Sequence, residues 1–292
     1  MKLKYTALGF LAILSWATLA LLTEYSAGIP PFQKLATCFA IAFCCGVLLH
    51  LRRPRQLLKS LRQPVGAWFL SVSGLFGYHL AYFVALDHAP AVHASLIAYL
   101  WPLLIVVLSA LLPGERLGRH HLGGAALGFG AAALMITKGE SLIIEAQYQF
   151  GYWVSLACAF LWSGYSVLNR RFTAVPTATV TGFCAVVALM SAMVHLAVET
   201  FVMPNQTQWL GMAALGLGPV GLAFFAWDAG TKHGDIQLLG VLAYSAPLLS
   251  TVLLLASGHA DWHWSVPAAA ILMVIGSLWA SKNLRQTATT TH

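Results

Sequence analysis

The stretch Gly74-Leu75-Phe76-Gly77-Tyr78-His79-Leu80-Ala81-Tyr82 sets Gly74, Tyr78 and Tyr82 four residues apart, with His79 beside the central tyrosine. On a helix this spacing makes one stripe: a glycine that allows close backbone approach, two phenol rings, and an imidazole alongside. Such a stripe can hold a solute through π surface and hydrogen bonds. It lacks the converging nucleophile, base and metal ligands that bond-making chemistry needs. The same chemistry recurs along the chain. Trp16, Trp101 and Trp162 offer indole faces, Tyr99 and Tyr244 offer phenols, and Trp162 is followed by Ser163, Tyr165, Ser166 and Asn169. Together these residues predict a cavity wall rich in aromatic faces and hydroxyl groups and nearly free of formal charge. A bland alternative stands beside it, in which His79 is paired with a serine or carbonyl of a neighbouring helix.

Pro102 and Pro247 fall near the middle of apolar runs. A proline there has no N–H to give and releases the carbonyl four residues earlier, here those of Ala98 and Ala243. Freed carbonyls at membrane depth need a partner, so both helices are expected to be broken where they face the cavity. The competing reading is a bend made only for packing. Asp228 is the one acid embedded in an apolar run, with Lys232 four residues on. A structural pair is favoured over a proton carrier. His120–His121 in a loop, and His259 with His263 about an outer turn, lack a third ligand nearby, so no metal and no cofactor is expected.

The elements that must position these groups follow from composition. Of 292 residues, 59% are hydrophobic and 9% charged, against roughly a quarter charged in soluble domains. Apolar runs of about 20 residues suit a hydrocarbon layer of about 30 Å. Ten are read: Tyr5–Leu22, Phe32–Leu51, Ala67–Leu86, Val92–Leu112, His121–Thr137, Gly151–Leu168, Thr177–Val198, Gln208–Thr231, Ile236–Ser257 and Val266–Ser281. The short connections leave no room for an outside domain, so function must lie between the helices. Cys38, Cys44, Cys45, Cys158 and Cys184 all fall inside these runs and are read as packing residues rather than disulfides.

The net charge of +7 would suggest nucleic acid in a soluble protein. Here it is one-sided. Starting from a cytoplasmic N-terminus, fourteen of the sixteen Lys and Arg residues fall on one side, and only Lys34 and Lys138 on the other. That asymmetry predicts cytoplasmic termini and a bacterial inner-membrane location, with the bilayer as partner and no nucleic acid. Lys2 and Lys4 ahead of an apolar run ending near Leu22 can also be read as a signal peptide cut near Ser26-Ala27. The charge asymmetry favours keeping it as a span.

The chain also repeats. Ala98-Tyr99-Leu100-Trp101-Pro102-Leu103-Leu104 returns as Ala243-Tyr244-Ser245-Ala246-Pro247-Leu248-Leu249, 145 residues later. At that offset Tyr82 meets Trp227 and His88 meets His233, and at 146 Trp16 meets Trp162. A five-helix unit is odd, so the second copy must run the opposite way across the membrane. The expectation is an all-α membrane protein of ten transmembrane helices, in two inverted five-helix repeats (1–146 and 147–292) around a central cavity. Two half-bundles can rock to expose that cavity alternately to either side.

On these features the chain resembles the drug/metabolite transporter superfamily, in particular its EamA-type ten-helix exporters, and most of all the YddG group of aromatic amino-acid exporters. The resemblance rests on the ten spans in two halves, Trp16 and Trp162, the two Tyr-x-x-Pro elements, and Gly77–Tyr82. It implies a basket of the third, fourth, eighth and ninth helices, and export of aromatic and other neutral amino acids by alternating access. On that basis the substrate-binding candidates are Tyr78, His79, Tyr82, Tyr99, Trp101, Trp16, Trp162 and Tyr244, with Pro102 and Pro247 breaking their helices at the cavity. Export of another small metabolite or drug remains the alternative, with an intramembrane enzyme or a channel behind it. The expected partner is the small-molecule substrate, and no obligatory protein partner is expected. Small four-helix drug exporters of the superfamily use a glutamate in the first helix, whereas here the first acid is Glu24, at the outer end.

Overall fold

A continuous apolar chain must close every backbone hydrogen bond within itself, which favours helices end to end. The computed structural model describes residues 1–115 and 117–280; the cations Arg116, Lys282 and Arg285, and Ser281 at the end of the last apolar run, lie outside them. The described residues form helices and turns and no strand. Within them ten long helices occur in order: α1 (Lys2–Tyr25), α2 (Pro31–Leu49), α3 (Val65–His88), α4 (Ala91–Ser109), α5 (Arg119–Thr137), α6 (Gln149–Leu168), α7 (Thr177–Val198), α8 (Gln206–His233), α9 (Ile236–Ala256) and α10 (Ser265–Ala280). Among the described residues, α1 to α4 and α7 to α9 make seven helices long and apolar enough to cross a membrane, and α10 is a shorter apolar helix. The chain is a multi-pass membrane protein.

Local signals fix the ends. Proline opens α2 at Pro31 and a short helix at Pro54–Ser60, where its missing N–H would have had no partner anyway. Asn205 and Gln208 cap the start of α8 reciprocally: Asn205 Oδ1 accepts the Gln208 N–H at 2.9 Å, and Gln208 Oε1 accepts the Asn205 N–H at 2.8 Å.

Five helices are interrupted midway. α1 turns at Ala17–Thr18, α3 widens to a π-helix at Ser73–Gly77, α4 breaks at Tyr99–Leu100, α8 at Gly218–Gly221 and α9 at Tyr244. The breaks of α4 and α9 leave Pro102 in the first turn of Trp101–Ser109, and Pro247 third in Ser245–Ala256. In these positions a proline costs the helix little. α2, α5, α6, α7 and α10 run without such a break.

The helices pack α1 along α8, α3 along α6, α2 along α7, and α5 along α10, with α4 against both α6 and α9. The core centres on Ile13, Phe39, Trp162, Tyr165, Phe183 and Trp227, all buried. A second cluster, around Val106, Ala132, Val241 and Met273, joins α4, α5, α9 and α10. Cys38, Cys158 and Cys184 are buried packing residues and all five thiols are free, but Cys44 is exposed on α2 rather than packed.

Candidate functional site

The interruptions converge on one cavity. Its wall takes Trp16 and Leu19 from either side of the α1 turn, and Tyr78 and His79 from just after the π-helix. Tyr99 and Trp101 come from the α4 break, Pro219, Val220 and Phe224 from the α8 break, and Ala246 from the α9 break. Trp162 comes from the unbroken α6. A π-helix carries an extra residue per turn and so rotates the residues beyond it, here turning Tyr78 and His79 inward.

The wall is aromatic. Trp16 lies 4.9 Å from Trp227, 5.6 Å from Trp162 and 6.1 Å from Trp101 by ring centroids. These are ordinary edge-to-face and tilted separations. Tyr78 sits 5.3 Å from Trp162. Trp16 is held by its indole N–H, which donates to the Pro219 carbonyl at 3.0 Å. The bond ties the α1 turn to the α8 break. The His79 Nδ1 lies 2.6 Å from the Leu75 carbonyl oxygen. A carbonyl only accepts, so Nδ1 carries the proton and Nε2 is left as a hydrogen-bond acceptor. Among the described residues the lining contains no acid, lysine or arginine. A solute here meets ring faces, phenol hydroxyls, an imidazole nitrogen and the backbone ends of broken helices.

Six of the eight residues expected from sequence to bind substrate line this cavity: Trp16, Tyr78, His79, Tyr99, Trp101 and Trp162. Two do not. Tyr82 stacks behind Tyr78 at 6.1 Å and 4°, its hydroxyl 3.0 Å from Ser95 Oγ. Tyr244 is buried, and its hydroxyl accepts the Leu103 N–H at 3.0 Å. It thus supplies a partner to a backbone donor orphaned by the α4 break. Pro102 and Pro247 stand at their breaks without lining the cavity. The wall expected from Ser163, Tyr165, Ser166 and Asn169 needs correction, because of the α6 group only Trp162 reaches the cavity. Tyr165 packs on Gly74, where a Cβ would collide with its ring. Ser166 Oγ accepts the Trp227 indole N–H at 3.0 Å. Asn169 donates to Asp228 and Thr231, each at 3.1 Å. Pro219 and Val220, and with them Phe224, Leu19 and Ala246, join the wall without having been expected there. For the first two a signal was present, as Gly216-Leu217-Gly218-Pro219-Val220-Gly221 puts a proline and three glycines in mid-span. Phe224 has no such mark.

Just beyond Trp227 lies a buried polar network. Asp228 is fully buried and Lys232 is 3% exposed. Lys232 Nζ sits 2.8 Å from Asp228 Oδ1 and donates to the Val175 carbonyl at 2.9 Å. Thr177 donates to Asp228 Oδ2 at 2.7 Å. The carboxylate is fully paired, in keeping with a structural pair. His120 and His121 lie in the first turn of α5 rather than in a loop. His259 and His263 each meet a serine, Ser257 and Ser265, at 3.1 and 3.0 Å. Among the described residues no three His, Cys, Asp or Glu side chains are placed to share a metal ion.

The sequence profile of the EamA-like transporter family matches the chain twice, over residues 3–137 and 149–282. An aromatic amino acid exporter, YddG, from Ancylobacter novellus is 47% identical over 277 residues, covering 94% of this chain and 96% of that protein. A protein of the same name from Salmonella typhimurium is 23% identical over 94% of this chain and 96% of its own length. The pseudopaline exporter CntI of Pseudomonas aeruginosa is 31% identical, covering 76% and 78%. A solved crystal structure superimposes with a TM-score of 0.92 at 45% identity, covering 96% of this chain and 98% of the other. The chain belongs to the EamA-like transporter family.

Proposed function

We propose that the protein exports aromatic and other neutral amino acids from the cytoplasm by alternating access, through ten transmembrane helices arranged as two inverted repeats, residues 1–146 and 147–292. The observation that carries this reading is the uncharged, indole-lined cavity at the meeting point of five interrupted helices. Ring faces suit an aromatic side chain. The His79 Nε2 and freed carbonyls suit an ammonium group, and N–H groups at helix starts suit a carboxylate. Among the described residues no charged side chain lines the cavity to select strongly for one side chain, so recognition is broad and of low affinity.

The packing supports the repeat. α1 lies on α8 as α6 lies on α3, and α4 meets α6 as α9 meets α1. α2–α7, α4–α9 and α5–α10 pair each helix with its counterpart five places on. The two family matches divide the chain in the same place. The Lys and Arg asymmetry supports cytoplasmic termini in a bacterial inner membrane. Relatives named as amino-acid exporters support the substrate class.

The test is a proteoliposome panel of labelled aromatic, aliphatic and charged amino acids. Tyr78→Ala, His79→Ala and Tyr99→Ala are expected to lower transport of aromatic substrates by about tenfold each, the effect of losing roughly 1–1.5 kcal/mol of contact. Aromatic transport at the parental rate in all three variants would remove the cavity from the mechanism. Saturation and counterflow separate a carrier from a channel.

A further inference from the structure

The link between α2 and α3 carries Arg52, Arg53, Arg55, Lys59 and Arg62, five cations in eleven residues. No acid occurs between Glu24 and Asp87 to offset them. All five side chains are exposed, and none has an ion-pair partner among the described residues. The backbone of the link is tethered. The short helix Pro54–Ser60 sets Arg55 and Lys59 one turn apart on one side. Its last carbonyl, that of Ser60, accepts the Thr179 hydroxyl of α7 at 2.8 Å. Leu61 packs on Gly182 of the same helix. The link therefore stays where α2 ends and α3 begins.

Beside the cations stand Leu51, Leu58, Val65 and Phe69, exposed by 61%, 63%, 83% and 75%. Water covers the first group well and the second badly. A boundary with acyl chains on one side and phosphates on the other covers both. A nucleic acid or an acidic protein would meet the charges and leave the apolar side chains bare. We propose that Arg52 to Arg62 form a docking site for the headgroups of anionic phospholipids, with Leu51, Leu58 and Phe69 set into the adjoining acyl layer. The inference uses the membrane location of the chain and is independent of what the cavity carries.

The experiment uses the purified full-length chain in micelles doped with equal phosphatidylglycerol and phosphatidylcholine, with retained lipid counted by native mass spectrometry. Phosphatidylglycerol is expected to be retained about tenfold over phosphatidylcholine, and the preference to collapse in R55Q/K59Q/R62Q. It is expected to persist in R55K/R62K, because the attraction is to charge. For the unaltered chain the preference should fade as salt rises from about 0.05 to 0.5 M and the screening length shortens. That arm does not depend on how the triple variant inserts. Equal retention of the two lipids, a salt-independent preference, or an undiminished preference in the triple variant would overturn the proposal. So would soluble polyphosphate binding as tightly as the lipid, since that would make the acyl layer irrelevant.

Discussion

Asp228 and Lys232 illustrate how one pair of side chains can be costly and yet indispensable. Both are out of reach of water, and three further groups, from Asn169, Thr177 and Val175, complete their bonding. Removing one partner strands the other charge. Asp228→Ala should lower stability by about 3–5 kcal/mol, whereas Asp228→Leu with Lys232→Met should recover most of that loss. Thermal unfolding of the purified protein in detergent measures both. If the double variant were instead stable yet unable to transport, Asp228 would be acting in transport rather than in packing. The pairing itself was legible from the four-residue spacing. The partners from Asn169 and Thr177 were not, because they lie 59 and 51 residues away and only the packing of α6 and α7 brings them close.

At the scale of helices, long apolar runs carried most of the fold. A run of that length has few alternatives in lipid, and proline at Pro31 and Pro54 marks a start by its own covalent geometry. What the sequence alone leaves open is rotation about a helix axis. Tyr165 lies only three residues from Trp162, yet it turns to Gly74 of α3 while Trp162 turns to the cavity. The period of an apolar helix with hydroxyls on several sides does not single out the face that meets solute. The site was legible where residue type and helix break coincided, at Tyr78, His79, Tyr99 and Trp101, and illegible where an unmarked side chain such as Phe224 or Leu19 filled the wall. Close crossings are likewise a matter of pairs. A Cβ at Gly230 of α8 would stand 2.6 Å from the Gly9 Cα of α1. Gly230→Leu should therefore force the two helices apart. The expected loss is about 1–3 kcal/mol, the usual range for overpacking, read as a lowered melting temperature and reduced yield of monodisperse protein.

For the molecule as a whole, the end that carries Lys2 and Arg170 is sealed. Ser166, Trp227, Asp228 and Thr231 are fully buried beyond the cavity. Arg170 NH2 meets Glu115 Oε1 at 2.8 Å, and Lys2 Nζ meets Asp235 Oδ2 at 3.1 Å. Arg170 also donates to the Thr231 and Gly234 carbonyls, at 3.2 and 2.9 Å. Glu115 and Arg170 are partly exposed, so their pair is worth no more than about 1 kcal/mol, and Glu115→Gln should favour opening at this end about two- to fivefold. A cysteine placed at Ala246 in a cysteine-free background, labelled by an impermeant thiol reagent from that side, reads the change.

At the opposite end of α2, Glu199, from the segment after α7, accepts the N–H groups of Phe32 and Gln33 at 2.9 and 3.0 Å. Gln33 exchanges two hydrogen bonds with the Val202 backbone, at 2.6 and 2.9 Å. Thr179 holds Ser60 at the other end of the same pair. The seam between the first and second halves of the chain is thus stitched along its length by α2 and α7. Gene order and machine part do not coincide. Whatever swings to pass a solute must take its pieces from both halves of the chain, like a hinge whose two leaves are each cut from both ends of the same strip.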